Sequence, residues 1–413
     1  MLEKTPIAIQ KILKDDVKTA VFTSLELINA KQLMRDNMTV LLKPNLLQPA
    51  PPERAITTHP MIVRAVIQWV RQFNPTKIYV CDSSGGFNFG ESNTERAMKE
   101  SGLKAVCEEE GDLVECLPFE KTERRIYKVE NPLEVEEFPS SVLLHDVDLI
   151  INLPKIKTHG QTTMTCCIKN MFGTILRTNK ARTHAKYPSL NRFTSALTDI
   201  YSVSKPQLAV VDGYYCMEGN GPSAGKPVKL DIVLAGYDGV AIDSTVCKII
   251  GVNSGNVKYL AFAEKKGLGT TNQDEIEIRG ESIDNIKRKF KIPATIKPVS
   301  AWLPRAFADY LARRVFKATI TFDNDKCRLC STCWSNCPVN AISPPKEIKK
   351  GNVPIWDMKK CITCYCCAEL CPYSAVDARI HLVRNVIFSW FGLMLFGALI
   401  VIAAAIVIPI LLT

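Results

Sequence analysis

DVDLIINLPK (146–155) contains an apolar run that is too continuous for a strand with one face in water. Four other segments have the same character: MTVLLKP (38–44), TKIYVCD (76–82), QLAVVDG (207–213) and LDIVLAG (230–236). Near-continuous apolar strands are typical of a parallel sheet that helices cover on both faces. We therefore predict an α/β fold with a mostly parallel sheet over residues 1–290.

Helix signals lie between these runs. Residues 60–73 predict a helix that begins with Thr58 as its cap or with Pro60 in its first turn. Residues 239–250 predict another helix, with Asp238 as its cap. Helices that alternate with apolar strands in this way are expected of an α/β domain.

Two cysteine motifs follow the α/β region, and each ends in Cys-Pro. They are Cys327-x2-Cys330-x2-Cys333-x3-Cys337-Pro338 and Cys361-x2-Cys364-x2-Cys367-x3-Cys371-Pro372. With this spacing, three cysteines bind one iron–sulfur cube and the fourth ligates the other cube. We therefore predict two [4Fe–4S] clusters, one bound by Cys327, Cys330, Cys333 and Cys371 and the other by Cys361, Cys364, Cys367 and Cys337.

Zinc is the alternative metal, because it also binds Cys-x2-Cys pairs. A tetrahedral zinc site requires neither the third cysteine nor the Cys-Pro ending, so residues 323–380 resemble a bacterial-type ferredoxin module with a small α+β fold. Cys366 lies outside the spacing, and we expect it to pack as a small apolar side chain. The remaining cysteines show no repeated spacing, which favours free thiols in a reducing compartment.

Residues 386–413 form a stretch of 28 residues without a formal charge. A membrane-spanning helix needs about 20 such residues, whereas a buried core helix, the alternative, usually keeps a polar stripe. Arg379 and Arg384 precede the stretch, and residues 1–16 lack an apolar run of signal-peptide length. We predict a C-terminal transmembrane helix that anchors the protein at the cytoplasmic face of the cell membrane.

Basic charge is concentrated before this tail. Residues 287–384 hold 18 basic and 7 acidic residues, a balance of +11 in a chain of formal charge +10. We expect this region to contact anionic membrane lipid, and no nucleic acid, because no nucleic-acid-binding module accompanies the charge. Residues 291–322 predict a connector with a basic amphipathic helix, which lies on the membrane surface or packs as an ordinary linking helix.

Polar residues follow the apolar runs, at the strand ends where open α/β sheets bind ligands. An ordinary capped turn explains any one of them alone, but four lysines recurring with Asn, Ser and Gly indicate a site for an anionic small molecule. Our substrate-binding candidates are Lys43, Asn45, Asp82, Lys169, Asn170, Asp212 and Glu218, and our catalytic candidates are His159, Lys157 and Lys155.

His159 is one of only five histidines and follows Lys155 and Lys157 closely. It could exchange a proton near neutral pH while the two lysines hold an anion, or it could simply bond a loop carbonyl. Cys166 and Cys167 have no further cysteine at metal-ligand spacing, so we expect them to be buried structural thiols.

Several motifs in the same order resemble the prokaryotic family called domain of unknown function 362 (DUF362). They are LLKPNL (41–46), TTHP (57–60), DSSGG (82–86), NLPKIKTHGQTTMTCCIKNMFG (152–173), VVDGYYCMEGNGP (210–222) and AGYDGVAID (235–243). The resemblance covers roughly residues 38–270 and implies an α/β domain, commonly followed by a ferredoxin module, without an agreed reaction. The family's recurrent polar residues would correspond to Lys43, Asn45, His59, Asp82, Lys155, Lys157, His159, Lys169, Asn170, Asp212, Glu218, Asp238 and Asp243.

These observations predict a membrane-tethered iron–sulfur redox protein. Two [4Fe–4S] clusters would relay electrons between a redox partner protein and the anionic small molecule, as in a ferredoxin-type oxidoreductase. Two other functions remain open: a non-catalytic electron-transfer subunit that docks to a membrane redox complex, or a factor that assembles a cofactor or metal centre. Cluster potentials vary over about a volt with environment, so the direction of electron flow stays open.

Overall fold

The computed structural model describes residues 4–85, 93–176, 179–293 and 318–380. In chain order the strands of its larger part are β1 (Thr5–Lys11), β2 (Thr39–Pro44), β3 (Lys77–Asp82), β4 (Val114–Pro118), β5 (Arg124–Lys128), β6 (Glu137–Ser141), β7 (Leu149–Leu153), β8 (Lys155–His159), β9 (Thr163–Thr165), β10 (Leu208–Glu218), β11 (Lys226–Gly236) and β12 (Ile276–Gly280). The main element is a 10-stranded sheet with the order β12-β1-β11-β10-β7-β2-β3-β4, in which β8 also pairs with β10, and β9 pairs with β8. β5 and β6 form a separate antiparallel ribbon.

Most neighbouring strands of the sheet are parallel. The parallel pairs are β2–β3, β2–β7, β3–β4, β7–β10, β8–β10 and β1–β12, and the antiparallel pairs are β1–β11, β10–β11 and β8–β9. All five apolar runs of the sequence are strands of this sheet. The predicted α/β fold with a mostly parallel sheet is therefore confirmed.

Helices connect the strands. They are α1 (Val17–Leu27), α2 (Pro60–Arg71), α3 (Asn93–Glu100), α4 (Leu103–Glu109), α5 (Leu143–Asp146), α6 (Cys167–Asn170), α7 (Asn179–Lys186), α8 (Leu190–Ser204), α9 (Gly239–Ile249), α10 (Lys258–Lys265) and α11 (Ile283–Ile286). Short 3-10 turns occupy Ala30–Leu33, Pro52–Arg54, Phe119–Lys121, Met171–Thr174, Ser254–Asn256 and Gln273–Glu275.

The sheet separates two apolar cores. Because successive side chains of a strand point to opposite faces, β2 places Leu41 in one core and Val40 and Leu42 in the other. Phe193 of α8 packs in the first core, and Val66 of α2 packs in the second. Both faces of the central strands are thus dry, which explains why their sequences show no polar alternation.

The start of α2 corrects one of the two predicted caps. His59 is the N-cap, since its ring accepts a backbone N–H of the first turn at 3.3 Å, and Pro60 lies in that turn as expected. Thr58 as cap is wrong, because its hydroxyl donates to the Leu153 carbonyl at 2.6 Å and accepts the Asn45 N–H at 2.8 Å. Thr58 therefore links the ends of β2 and β7 instead of starting the helix.

A small ferredoxin-like module forms the C-terminal part of the described chain. β13 (Ala318–Phe322) pairs antiparallel with β16 (Val376–Ile380), and β14 (Ile342–Ser343) pairs antiparallel with β15 (Ile355–Trp356). Helices α12 (Thr332–Ser335) and α13 (Cys366–Glu369) each lie inside one cysteine motif. The small core of the module contains Ile320, Cys371, Ala375 and Val376.

The predicted anchor, residues 386–413, lies outside the described residues, as does most of the predicted connector, residues 291–322. Among the helices of the four described ranges, none is both long and apolar enough to cross a bilayer.

The cap of α9 provides a test of the fold. The Asp238 carboxylate accepts the N–H groups of Val240 and Ala241 at 2.8 and 3.0 Å and that of Thr270 at 2.9 Å. We expect Asp238→Ala to lower the free energy of unfolding by about 1–2 kcal/mol, because the capped N–H groups lose their acceptor. Urea unfolding followed by circular dichroism measures the change. Asp274→Ala removes an exposed carboxylate and is the control; an equal effect of both variants would contradict the role of the cap.

Candidate functional site

The carboxyl ends of β2 and β3 are joined by a completely buried ion pair. The Lys43 ammonium lies 2.7 Å from Asp82 Oδ1, and the other carboxylate oxygen accepts the Leu46 N–H at 2.7 Å. Burial lowers the pKa of Lys43, and the neighbouring Asp82 charge opposes that shift. Because an unpaired charge at this depth would cost several kcal/mol, each partner requires the other.

A second buried ion pair joins β8 to β10. The Lys155 ammonium lies 2.7 Å from Asp212 Oδ2, which also accepts the His59 N–H at 2.6 Å. Asp212 Oδ1 accepts the Tyr214 N–H at 3.0 Å. Glu218, at the end of β10, accepts a backbone N–H at 3.0 Å from the segment that leaves the domain. These polar groups hold the ends of the strands together.

Lys157 has no carboxylate partner among the residues that the structure describes. Its ammonium donates to Asn45 Oδ1 at 2.6 Å and to the Ile56 carbonyl at 2.7 Å. Burial lowers the pKa of Lys157 well below its ordinary value, and the nearby charges of Lys169 and Lys155 lower it further. An anion beside Lys157 would relieve this unfavourable environment.

A cavity of about 340 Å³ lies between these strand ends and the ferredoxin-like module. Five of the predicted site residues are in its wall: Asn45, Asp82, Lys157, Lys169 and Asn170. From the module, the wall includes the cluster-ligand candidate Cys337 together with Cys366, Glu369 and Leu370. Lys43, Lys155, His159, Asp212 and Glu218 are outside the wall. The volume is at the lower end of the range for small-molecule sites.

The module touches the α/β domain at several points around this cavity. A Cβ atom on Gly85 would lie 2.6 Å from the Leu370 side chain, so the loop after β3 and the module approach each other closely here. The Arg54 guanidinium donates to the Ser374 hydroxyl at 3.3 Å. The cavity is therefore closed by both parts of the chain, and neither part alone would form it.

His159 is completely buried next to the module. Its Nδ1 accepts the N–H groups of Gln161 and Thr162 at 3.1 and 3.3 Å, so the ring proton is on Nε2, which lies 3.3 Å from Glu369 Oε1. Burial, with Lys169 nearby, lowers the pKa of His159 well below its ordinary value. His159 is thus neutral at physiological pH and reaches the cavity only through Glu369.

Helix α7 adds three residues that the sequence analysis missed: Lys180, Arg182 and His184 line the cavity. The His184 ring stacks on Phe193 with centroids 4.1 Å apart, and burial lowers its pKa to about 3, so it stays neutral. Its buried Nδ1 has no hydrogen-bond partner within the described ranges. The run of basic residues in RTNKARTH (177–184) was the available signal, but no strand end marks it.

The cysteines of the two motifs lie in two groups that each draw on both motifs. Burial raises the pKa of Cys333 to about 12, and the thiols that raise it further are Cys330, Cys371 and Cys327. The corresponding neighbours of Cys367 are Cys364, Cys361, Cys333 and Cys337. Cys371 thus lies near cysteines of the first motif and Cys337 lies near cysteines of the second, which agrees with a fourth ligand exchanged between the motifs.

Backbone donors support the sulfur atoms. The Ala341 N–H donates to Cys337 Sγ at 3.1 Å, and the Ala375 N–H donates to Cys371 Sγ at 3.3 Å, at equivalent positions of the two motifs. Hydrogen bonds to sulfur stabilise the charge of cluster thiolates and tune their potential. The residues present therefore fit iron–sulfur clusters.

Cys166, Cys167 and Asp243 place three possible metal-ligand atoms within 4.8 Å of one another in the core. Both carboxylate oxygens of Asp243, however, already accept backbone N–H groups, from Cys167 at 2.6 Å and from Ile168 at 3.1 Å. Burial raises the pKa of Cys166 well above its ordinary value, so this thiol stays protonated. The arrangement orders the turn before α6, and both thiols are buried as expected.

Comparisons with known proteins agree with this architecture. Residues 40–248 match the family described as "Domain of unknown function (DUF362)", and residues 326–375 match the "4Fe-4S dicluster domain". The "Thylakoid-associated protein sll1697" of Synechocystis sp. is 30% identical over 270 residues, which are 64% of this chain and 79% of that protein. The DUF362 resemblance and the predicted ferredoxin module are thus confirmed.

A lactate racemase apoprotein from Thermoanaerobacterium thermosaccharolyticum is a weak structural match. Its TM-score is 0.35 at 14% identity, over 57% of this chain and 54% of that one. This chain thus spans about half the length of that structure.

The Lys43–Asp82 pair gives a stability test of the site. We expect Lys43→Met to lower the free energy of unfolding by about 3–5 kcal/mol, because it leaves a buried carboxylate without its cation. Adding Asp82→Asn should restore part of the loss, since the uncompensated charge is removed. Lys287→Met, in an exposed pair with Asp284, is the control and should change little. Urea unfolding compares the variants; a Lys43→Met effect no larger than the control would contradict the argument.

Proposed function

The chain belongs to the DUF362 family and carries a 4Fe-4S dicluster domain, and on this basis we propose that it is an iron–sulfur redox protein that exchanges electrons with an anionic small molecule. The observation that carries the proposal is the cavity, because the cluster-ligand candidate Cys337 and the lysines of the α/β domain share its wall. A ligand bound there would be close to both an electron source and positive charge.

We propose two [4Fe–4S] clusters, bound by the two groups of cysteines that the module brings together. The group with Cys337, Cys361, Cys364 and Cys367 is proximal, because Cys337 lines the cavity. The group with Cys327, Cys330, Cys333 and Cys371 is distal, and none of these four residues is in the described cavity wall. Each cluster, when bound, supplies or accepts one electron at a time.

The α/β domain would hold the anion through its lysines. Lys169 is partly buried in the cavity wall and has no hydrogen bond or ion pair within the described ranges. Lys157 lies nearby, and the described part of the chain gives its three N–H donors two acceptors. Asn45 and Asn170, which bond to each other at 3.1 Å, would orient the ligand, and Asp82 keeps Lys43 in place behind them.

The other predicted residues would act on the ligand indirectly. Lys155, Asp212 and Glu218 fix the strand ends and so position Lys157 and the loops around the cavity. We retain His159 as a candidate for proton exchange that acts through Glu369, because only Glu369 of that pair lines the cavity. A direct contact between His159 and the ligand is not part of the proposal.

We also propose that residues 386–413 anchor the protein to a membrane. Two observations support this proposal: the stretch of 28 residues has no formal charge, and the Synechocystis relative is named a thylakoid-associated protein. A redox partner protein would then meet the ferredoxin-like module near the bilayer, where the basic residues favour contact with anionic lipid.

Metal analysis tests the clusters. We expect anaerobically purified protein to contain about eight irons and eight acid-labile sulfides per chain, because two complete ligand sets are present. Cys330→Ser should lose half of this content or more, whereas Cys366→Ser, outside the ligand spacing, should keep it. Stoichiometric zinc with little sulfide would overturn the iron–sulfur assignment.

Reoxidation kinetics test the anion site. After reduction with dithionite, the two clusters hold two electrons, and they should be reoxidised by a member of a panel of α,β-unsaturated carboxylates, 2-oxo acids and phosphate esters that carry a C=O group, whose double bond takes up these two electrons together with two protons from water. Lys169→Ala and Lys157→Ala should each weaken the dependence on that compound by roughly 10–150-fold, since each removes a charge-assisted hydrogen bond worth about 1.5–3 kcal/mol. Lys346→Ala, exposed in the module, is the control and should react like the parent.

Cluster content of these variants should be unchanged, because the lysines lie outside both cysteine motifs. If both site variants react like the parent with every active compound, the cavity is not the site, and the electron-transfer subunit becomes the better account.

A further inference from the structure

The cavity has more positive than negative groups in its wall. Among the described residues of the wall, Lys157, Lys169, Lys180 and Arg182 contribute four cations when protonated, and Asp82 and Glu369 contribute two carboxylates, which leaves a balance of +2. Counting Lys43, which pairs with Asp82 behind the wall, raises the balance to +3. A dianion would offset most of this charge, and compact dianions include dicarboxylates and phosphate-like groups.

Lys180 holds a special position among these cations. It lies in the first turn of α7, and its ammonium donates to the backbone carbonyl of Ser83 and, at 3.5 Å, to that of Ser84. Both acceptors are uncharged, so Lys180 has no salt bridge in the described part of the chain. The two acceptor carbonyls belong to the loop after β3, and this loop also forms part of the cavity wall through Ser83 and Gly85.

We propose that Lys180 couples ligand binding to proton uptake: a dianionic ligand binds the cavity in the form in which the Lys180 amine is protonated. This inference rests on the proposed anion site and adds its ligand class and its pH control. The inference is supported by three observations: Lys180 lies in the cavity wall, its hydrogen-bond acceptors are uncharged, and the described wall has an excess of cations.

The electrostatic environment of Lys180 agrees with this role. Burial lowers its pKa to about 8, Asp82 and Glu120 oppose the shift, and Lys43 and Lys169 add to it. The empty site therefore loses the Lys180 charge as the pH rises through about 8. A bound dianion favours the protonated amine and raises its pKa, so binding takes up a proton in this range and weakens at higher pH.

The Lys180→Arg substitution distinguishes the effect of proton uptake on binding from the effect of positive charge on binding. A guanidinium stays protonated throughout this range, so Lys180→Arg keeps the positive charge and cannot take up a proton. Lys186→Arg is the matched control, because Lys186 lies on the same helix but is exposed and outside the cavity wall.

Calorimetry with sulfate and with malonate tests the proposal, since both probes stay doubly charged between pH 7 and 9. In the parent and in Lys186→Arg, affinity should fall about tenfold from pH 7 to pH 9, and buffers of different ionisation enthalpy should show about half a proton taken up at pH 8. In Lys180→Arg both effects should become smaller than in the parent, leaving only the part that Lys157 contributes, whose pKa burial also lowers. A preference for malonate would indicate a dicarboxylate ligand, and a preference for sulfate a phosphate-like one.

Competitive acetylation of the full-length protein, read by mass spectrometry, gives the titration of Lys180 without activity or binding. Its reactivity should rise with a midpoint near pH 8, and the bound probe should move that midpoint upward. Binding without proton uptake, or uptake in Lys180→Arg as large as in the parent, would overturn the role of Lys180 and leave the anion site intact. Failure of both probes to bind at any pH would overturn the anion site itself.

Discussion

Burial of lysine charge at the carboxyl edge of the sheet is the constraint on which the site depends. Lys43, Lys155 and Lys157 are almost completely inaccessible to water. An ammonium group at this depth needs a carboxylate or several acceptors, because desolvation otherwise costs several kcal/mol. Lys43 and Lys155 have carboxylates, whereas Lys157 has only neutral acceptors within the ranges that the structure describes. Because Lys157 lacks a carboxylate there, its positive charge, when it is protonated, is not neutralised at the cavity wall. This environment favours an anion beside the ends of the strands.

The ferredoxin-like module completes this arrangement. Glu369 brings a carboxylate towards His159 and Lys169, while Leu370 packs against Gly85. Because one cysteine group contributes Cys337 to the cavity wall, electrons would have a short route between the module and a bound molecule. The distal group would then face the redox partner. In the proposed function, contact between the ferredoxin-like module and the α/β domain combines an electron relay with a charged pocket.

Much of the fold could be predicted because its signals are local. The five apolar runs became strands, and the Asp238 cap was found where the sequence places it. Thr58 failed as a cap because its hydroxyl bonds across the sheet to Leu153, a residue 95 positions away, and no local pattern reports such a partner. In the site, Lys157 and Lys169 were predicted and line the cavity, whereas Lys180 was missed because it lies on a helix and not at a strand end.

The sequence by itself determined the α/β class, the two cysteine motifs and the family, since periodicity and spacing within a few residues encode them. Only the tertiary structure decided which charged residues are paired and which remain available to a ligand. Lys157 meets Asn45 across 112 positions and Lys155 meets Asp212 across 57. Coulomb and desolvation energies depend on distance and burial in space, and the chain order of two residues does not report either quantity.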